Sequence, residues 1–167
     1  KPQNGMASVL ETVFVSESAI EACATARKEG LDKALEDFWG NPMRQTFTMT
    51  WLASRPTEDL TGLAKAMAES LSISQVLYLS SFETVGVSGS LAIKNLFMST
   101  SDTCRSLVIL DKVDQMICYD GGHYDSKVLM TIKTMLSHCF SSKVVIMLTF
   151  AENEIDLTGY VDEQYSY

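Results

Sequence analysis

Asp111 is the residue whose setting most invites chemistry. It closes the apolar run LVIL inside residues 106–117, SLVILDKVDQMI. An acid at the carboxyl end of a buried strand can hold the magnesium shell of a bound nucleotide, and a second acid beside it can polarise an attacking water. Lys112 stands in that second place. An ammonium at neutral pH is no base, so ordinary hydrolysis here is expected to be very slow. The structural use of the same residues is simpler: Asp111 caps the short helix that follows, and Asp114 adds favourable charge to its first turn.

Other candidate groups are sparse. Cys23, Cys104, Cys118 and Cys139 are widely separated with no CxxC pair, and the histidines are His123 and His138 alone, which is not zinc-ligand spacing. The cysteines read as reduced, partly buried thiols of a cytosolic protein. Residues 87–90, VSGS, do not form the GxSxG elbow of a serine nucleophile. His123, in GGHYD, has the type of a general base and the setting of an exposed loop residue. Phe97, Met98, Met130 and Met135 fall at helical spacing and are expected in the core. The acids Glu152, Glu154, Asp156, Asp162 and Glu163 read as a solvated surface, with Tyr160, Tyr165 and Tyr167 as an alternative docking or phosphorylation segment.

The elements that would position these groups follow from periodicity. The 167 residues are 46% hydrophobic and 20% charged, enough for one domain with a substantial core. A formal net charge of −8 disfavours nucleic acid and anionic membrane surfaces and favours a neutral or basic protein partner. No apolar run reaches membrane-spanning length, so direct membrane insertion is not expected. Residues 1–15 carry weak signals and read as a flexible segment. Capping serines, early acids and Gly30 mark a helix from Ser16 or Ser18, and a second short helix covers 31–39. Strands are expected at 46–53, 75–79, 107–110 and 143–150, and helices at 61–71, 91–100 and 125–138. Strands alternating with helices imply right-handed crossovers and a parallel three-layer α/β domain over 16–157. Ligands of such sheets sit at the carboxyl ends of the strands, which selects the loops 54–59, 80–88, 111–114 and 149–152.

The order of these elements resembles the large α/β subdomain of AAA+ ATPases, with a P-loop NTPase fold. The likeness runs from Trp51 to Asp156 and is carried by TGLAKAMAES, ETVGVSGS, SLVILDKVDQMI, HYDSKVLMTIKTMLSH and KVVIMLTFAENEID. Within that superfamily it is most similar to the second ATPase domain of the vesicle-fusing, N-ethylmaleimide-sensitive ATPases. The resemblance implies a phosphate-binding loop at 54–61, SRPTEDLT, of which Pro56 and Thr61 match the pattern. It implies that Thr61 and Asp111 would hold magnesium if ATP or ADP binds, and that Thr149 would sense the terminal phosphate. The loop departs from the pattern: both glycines are gone, Leu60 replaces the lysine, and Glu58 and Asp59 would oppose a polyphosphate.

Three functions remain open on these grounds. A degenerate AAA+ domain would work through contacts with other AAA+ subunits or SNARE-related factors in cytoplasmic vesicle transport. An atypical ATPase would bind nucleotide through Thr61 and Asp111. An unrelated doubly wound interaction domain would share only topology. The family's helical lid finds no counterpart after Asp156, so the chain is expected to be a piece of a longer protein or never to close a complete site. A monomer or weak oligomer is the matching expectation.

Overall fold

The computed structural model describes residues 6–81, 88–119 and 121–167. In chain order the elements are α1 (Ser8–Glu11), α2 (Glu17–Ala26), a π-helical segment (Arg27–Leu31), α3 (Asp32–Gly40), β1 (Thr46–Leu52), α4 (Leu60–Leu71), β2 (Gln75–Ser80), α5 (Gly89–Met98), β3 (Ser106–Asp111), α6 (Val113–Ile117), a two-rung hairpin of β4 (Cys118–Tyr119) and β5 (His123–Tyr124), α7 (Ser126–Leu136), β6 (Val144–Phe150) and β7 (Glu163–Ser166). Gly30, at φ 148°, supplies the backbone freedom that turns the chain between α2 and α3.

Five strands form one sheet in the order β2-β3-β6-β1-β7, and every pairing in it is parallel. Strand alternation explains why both faces must be covered. Leu107, Ile109, Val145 and Met147 face a core built with α2, α3 and α4, while Val108, Leu110, Ile146 and Leu148 face a second core built with α5, α6 and α7. The domain is therefore a three-layer α/β sandwich. From β1 the chain leads through α4 to the β2 edge, and from β6 it leads the opposite way to β7. The carboxyl ends of β1 and β6 are thus where the connections part, the place such sheets offer for a site.

Several expectations need correction. Residues 6–15 are anchored rather than loose: Leu10 is fully buried, and Lys65 Nζ donates to the carbonyls of Glu11 and Val13. The tail at 158–167 is not simply solvated surface, because it supplies a fifth strand to the sheet. Phe97 and Met135 are buried, but Met98 and Met130 are exposed. Each of these two lies off its helix's buried stripe, which is Gly89, Ile93 and Phe97 on α5 and Val128, Ile132, Met135 and Leu136 on α7. The expected ligand loop at 80–88 falls mostly outside the described residues. No helix among the described residues is long and apolar enough to cross a membrane.

Candidate functional site

The parity of the strands assembles the site. On β3, Asp111 follows Leu107 and Ile109 onto the α4 face; on β6, Thr149 follows Val145 and Met147; on β2, Tyr78 follows Val76. Asp111 and Thr149 at the ends of their strands and Tyr78 within β2 therefore meet beneath the first turn of α4, where Thr61 lies.

Asp111 is fully buried, and both of its carboxylate oxygens accept hydrogen bonds. Its Oδ2 accepts from Thr61 Oγ1 at 2.7 Å, from the Tyr78 hydroxyl at 2.5 Å and from Lys112 Nζ at 3.2 Å. Its Oδ1 accepts from Thr149 Oγ1 at 2.6 Å. Thr149 Oγ1 in turn accepts from the Lys112 backbone N–H at 2.7 Å, and Thr61 Oγ1 accepts from Lys112 Nζ at 3.1 Å. Three of the four donors crowd Oδ2, which is saturated, and one reaches Oδ1. Lys112 reaches this position from a left-handed backbone, φ 61° and ψ 54°, a conformation that costs a non-glycine residue about 1 kcal/mol. The bonds made by its N–H and its ammonium offset that strain.

Asp111 does not cap the following helix: Lys112 holds the N-cap position of α6, and no side-chain cap bond is made there. The neighbouring acid has a different task. Asp114 is 3% exposed and accepts the backbone N–H groups of Ala151, Glu152 and Asn153 at 2.9, 2.9 and 3.0 Å, bracing the turn that leaves β6. Three charge-assisted bonds from backbone N–H groups hold the turn to α6. Nothing in the sequence spacing between residues 114 and 151 signals this brace, because it depends on α6 lying beside the end of β6.

The loop 54–61 is closed on itself. Glu58 N–H bonds back to Arg55 O, and the Glu58 carboxylate accepts from Ser54 Oγ at 3.3 Å and pairs with Arg55 at 3.3 Å. Asp59 caps α4 through the Gly62 N–H at 3.0 Å. The helix end that would attract a phosphate oxygen holds a carboxylate of its own chain instead. Of the residues picked out by sequence, Thr61, Asp111 and Thr149 come together, whereas Pro56 is exposed in the loop and outside the network. His123 is exposed on β5 with its ring against Tyr119 at 5.1 Å.

Whether magnesium fits can be judged from the donor set. A divalent cation needs free carboxylate lone pairs and a free hydroxyl oxygen. Here the Lys112 ammonium already bridges Thr61 Oγ1 and Asp111 Oδ2. As arranged, the residues do not fit the metal. No protein-family profile matches the chain, and no curated protein matches it in sequence.

Proposed function

We propose that this chain is a degenerate AAA+-like domain with weak or no nucleotide hydrolysis, acting through protein contacts. The observation that carries the reading is the position of the Lys112 ammonium, on the two oxygens that the resemblance assigns to magnesium. The capped and internally paired loop 54–61 supports it: Glu58 is taken up by Arg55, and Asp59 puts negative charge at the helix end where a polyphosphate would lie. The meeting of Thr61, Asp111 and Thr149, three residues distant in sequence, is in keeping with that resemblance. By that resemblance the partners are other AAA+ subunits or SNARE-related factors of cytoplasmic membrane-fusion machinery.

The same convergence is what favours the second reading, an atypical ATP-binding domain in which Lys112 yields its place. Calorimetric titration of ATP and ADP with magnesium separates the two. The expected outcome is no binding heat at millimolar nucleotide, and a melting temperature indifferent to magnesium or chelator. Micromolar binding that weakens in Asp111→Ala would instead put the ATPase reading first. An interaction domain unrelated to AAA+ proteins would also bind no nucleotide, and its mark would be function untouched by Thr61→Val or Thr149→Val.

A further inference from the structure

A second feature lies at the other end of the same rung of the sheet, away from Asp111. Beyond Thr149 the rung continues through Trp51 on β1 to Tyr165 on β7, whose rings lie 4.8 Å apart. A cavity of about 590 Å³ opens beside them, bounded by α2, the Arg55–Glu58 turn and β7. Trp51 is 1% exposed and lines this cavity, yet among the described residues its Nε1–H has no hydrogen-bond partner. Tyr165 lines it too; its buried hydroxyl has no partner within bonding distance among the described residues, but the Glu163 carboxylate stands close enough to raise its pKa. Buried polar groups are nearly always satisfied, so the Trp51 N–H, on a residue that lines the cavity, calls for an acceptor from outside the chain.

The charge around the cavity says what kind of group it would take. Glu21 and Glu29 line it from α2 and the π-helical segment, and among the described residues neither is in an ion pair. Arg55 and Glu58 also line it, but they neutralise each other. A cation is favoured there and an anion is not. An ammonium or guanidinium would donate to the Tyr165 hydroxyl, rest on aromatic faces and be balanced by the two glutamates.

The strand beside the cavity supplies the rest. β7 is the last strand in the order, so among the described residues its far side pairs with no strand. Tyr167 N–H donates to Leu52 O and Tyr167 O accepts from Ser54 N–H, which turns alternate residues toward β1 and leaves the backbone N–H and C=O of Gln164 and Ser166 facing outward. Neither Gln164 nor Ser166 carries the charge or proline that commonly blunts an exposed edge.

We propose that the β7 edge and its cavity bind an extended, arginine- or lysine-bearing peptide of a partner protein, which adds as a sixth strand beside β7 and sets one cationic side chain against Trp51 and Tyr165. Main-chain bonds at Gln164 and Ser166 give the strand its register, and the cavity reads the side chain. A peptide or side-chain carbonyl takes the Trp51 N–H. The site is separate from the Asp111 network and holds whether or not that network ever meets a nucleotide.

The test uses a fluorescein-labelled octapeptide alternating valine with arginine, a glutamate counterpart, and the arginine peptide N-methylated at alternate amides. Anisotropy should show saturable binding of the arginine peptide, weakened at least about tenfold by N-methylation and by the Glu21→Gln/Glu29→Gln pair. The same peptide should slow amide exchange at Gln164 and Ser166. Ser166→Pro, which removes an outward N–H and no bond to β1, should weaken binding similarly. Equal binding of the N-methylated peptide would reduce the effect to charge attraction and overturn the proposal. So would binding of the glutamate peptide, or no saturation by millimolar arginine peptide.

Discussion

Cys23 is 2% exposed on the face of α2 that joins the first core, and burial pushes its thiol up from 9.0 to about 12 against a smaller opposing pull from Arg27. The folded chain therefore holds this proton in a range where the unfolded chain releases it. Stability from this group is intact below about pH 9 and falls as pH rises toward 12, by about 2 kcal/mol at about pH 10.5. Tyr165, pushed up from 10.0 to about 12 by burial and then by Glu163, acts in the same direction at slightly higher pH. Lys143 opposes both: burial, then Arg44 and Arg105, hold its ammonium below the usual range, so stability rises with pH between its lowered value and 10.5. Comparing the wild type with Cys23→Ala isolates the first effect. In urea unfolding at a series of pH values, the variant should start less stable and close the gap as pH climbs from 8.5 to 10.5; parallel profiles would mean the thiol titrates as it does in the unfolded chain.

At the scale of elements, the first turn of α4 shows a cap and a close approach acting together. A Cβ on Gly62 would stand 2.6 Å from Asp59 Oδ2 and 3.0 Å from Phe14 O. Glycine to alanine in an exposed helix interior gains about 1 kcal/mol, but here it must displace the cap or the backbone carbonyl, and overpacking of that kind costs about 1–3 kcal/mol. The net cost of Gly62→Ala should therefore be about 1 kcal/mol, and in the background of Asp59→Ala it should shrink. An additive pair of effects would show that the clash is not with the cap. The contrast between elements also explains what the sequence disclosed. β3 and β6 are continuous apolar runs buried on both faces, so LVIL and VVIMLTF announce a parallel sheet without any tertiary knowledge. Asp111 and Thr149 were visible because each polar side chain interrupts or ends such a run. β7 was invisible because EQYS has no apolar alternation; pairing with β1 and the contact of Tyr165 with Trp51 make it a strand. The role of Lys112 was hidden for a related reason, since only a left-handed backbone folds its ammonium back onto the residue before it.

For the molecule as a whole, the question is how a short polar strand stays attached to a sheet held elsewhere by buried apolar faces. Asp162 gives the answer just before β7 begins. Its Oδ1 accepts from Arg44 at 2.8 Å, its Oδ2 from Thr48 N–H at 2.8 Å, and its own N–H donates to Thr48 O at 2.8 Å. Arg44 is itself fixed by a bond to Thr46 O and by the rings of Phe38 and Phe47, at 5.5 and 5.9 Å. The clamp thus ties the end of the chain to the beginning of β1 and to the packing around α3. Asp162→Ala removes two charge-assisted bonds at a partly exposed site and should cost about 2 kcal/mol. That loss should be local: Tyr165 and Tyr167, whose amides face β1, should exchange markedly faster, while amides of β3 and β6 keep rates near those of the wild type. If all strands accelerate together, β7 belongs to the same cooperative unit as the central sheet, and it could not act as an independently adjustable edge.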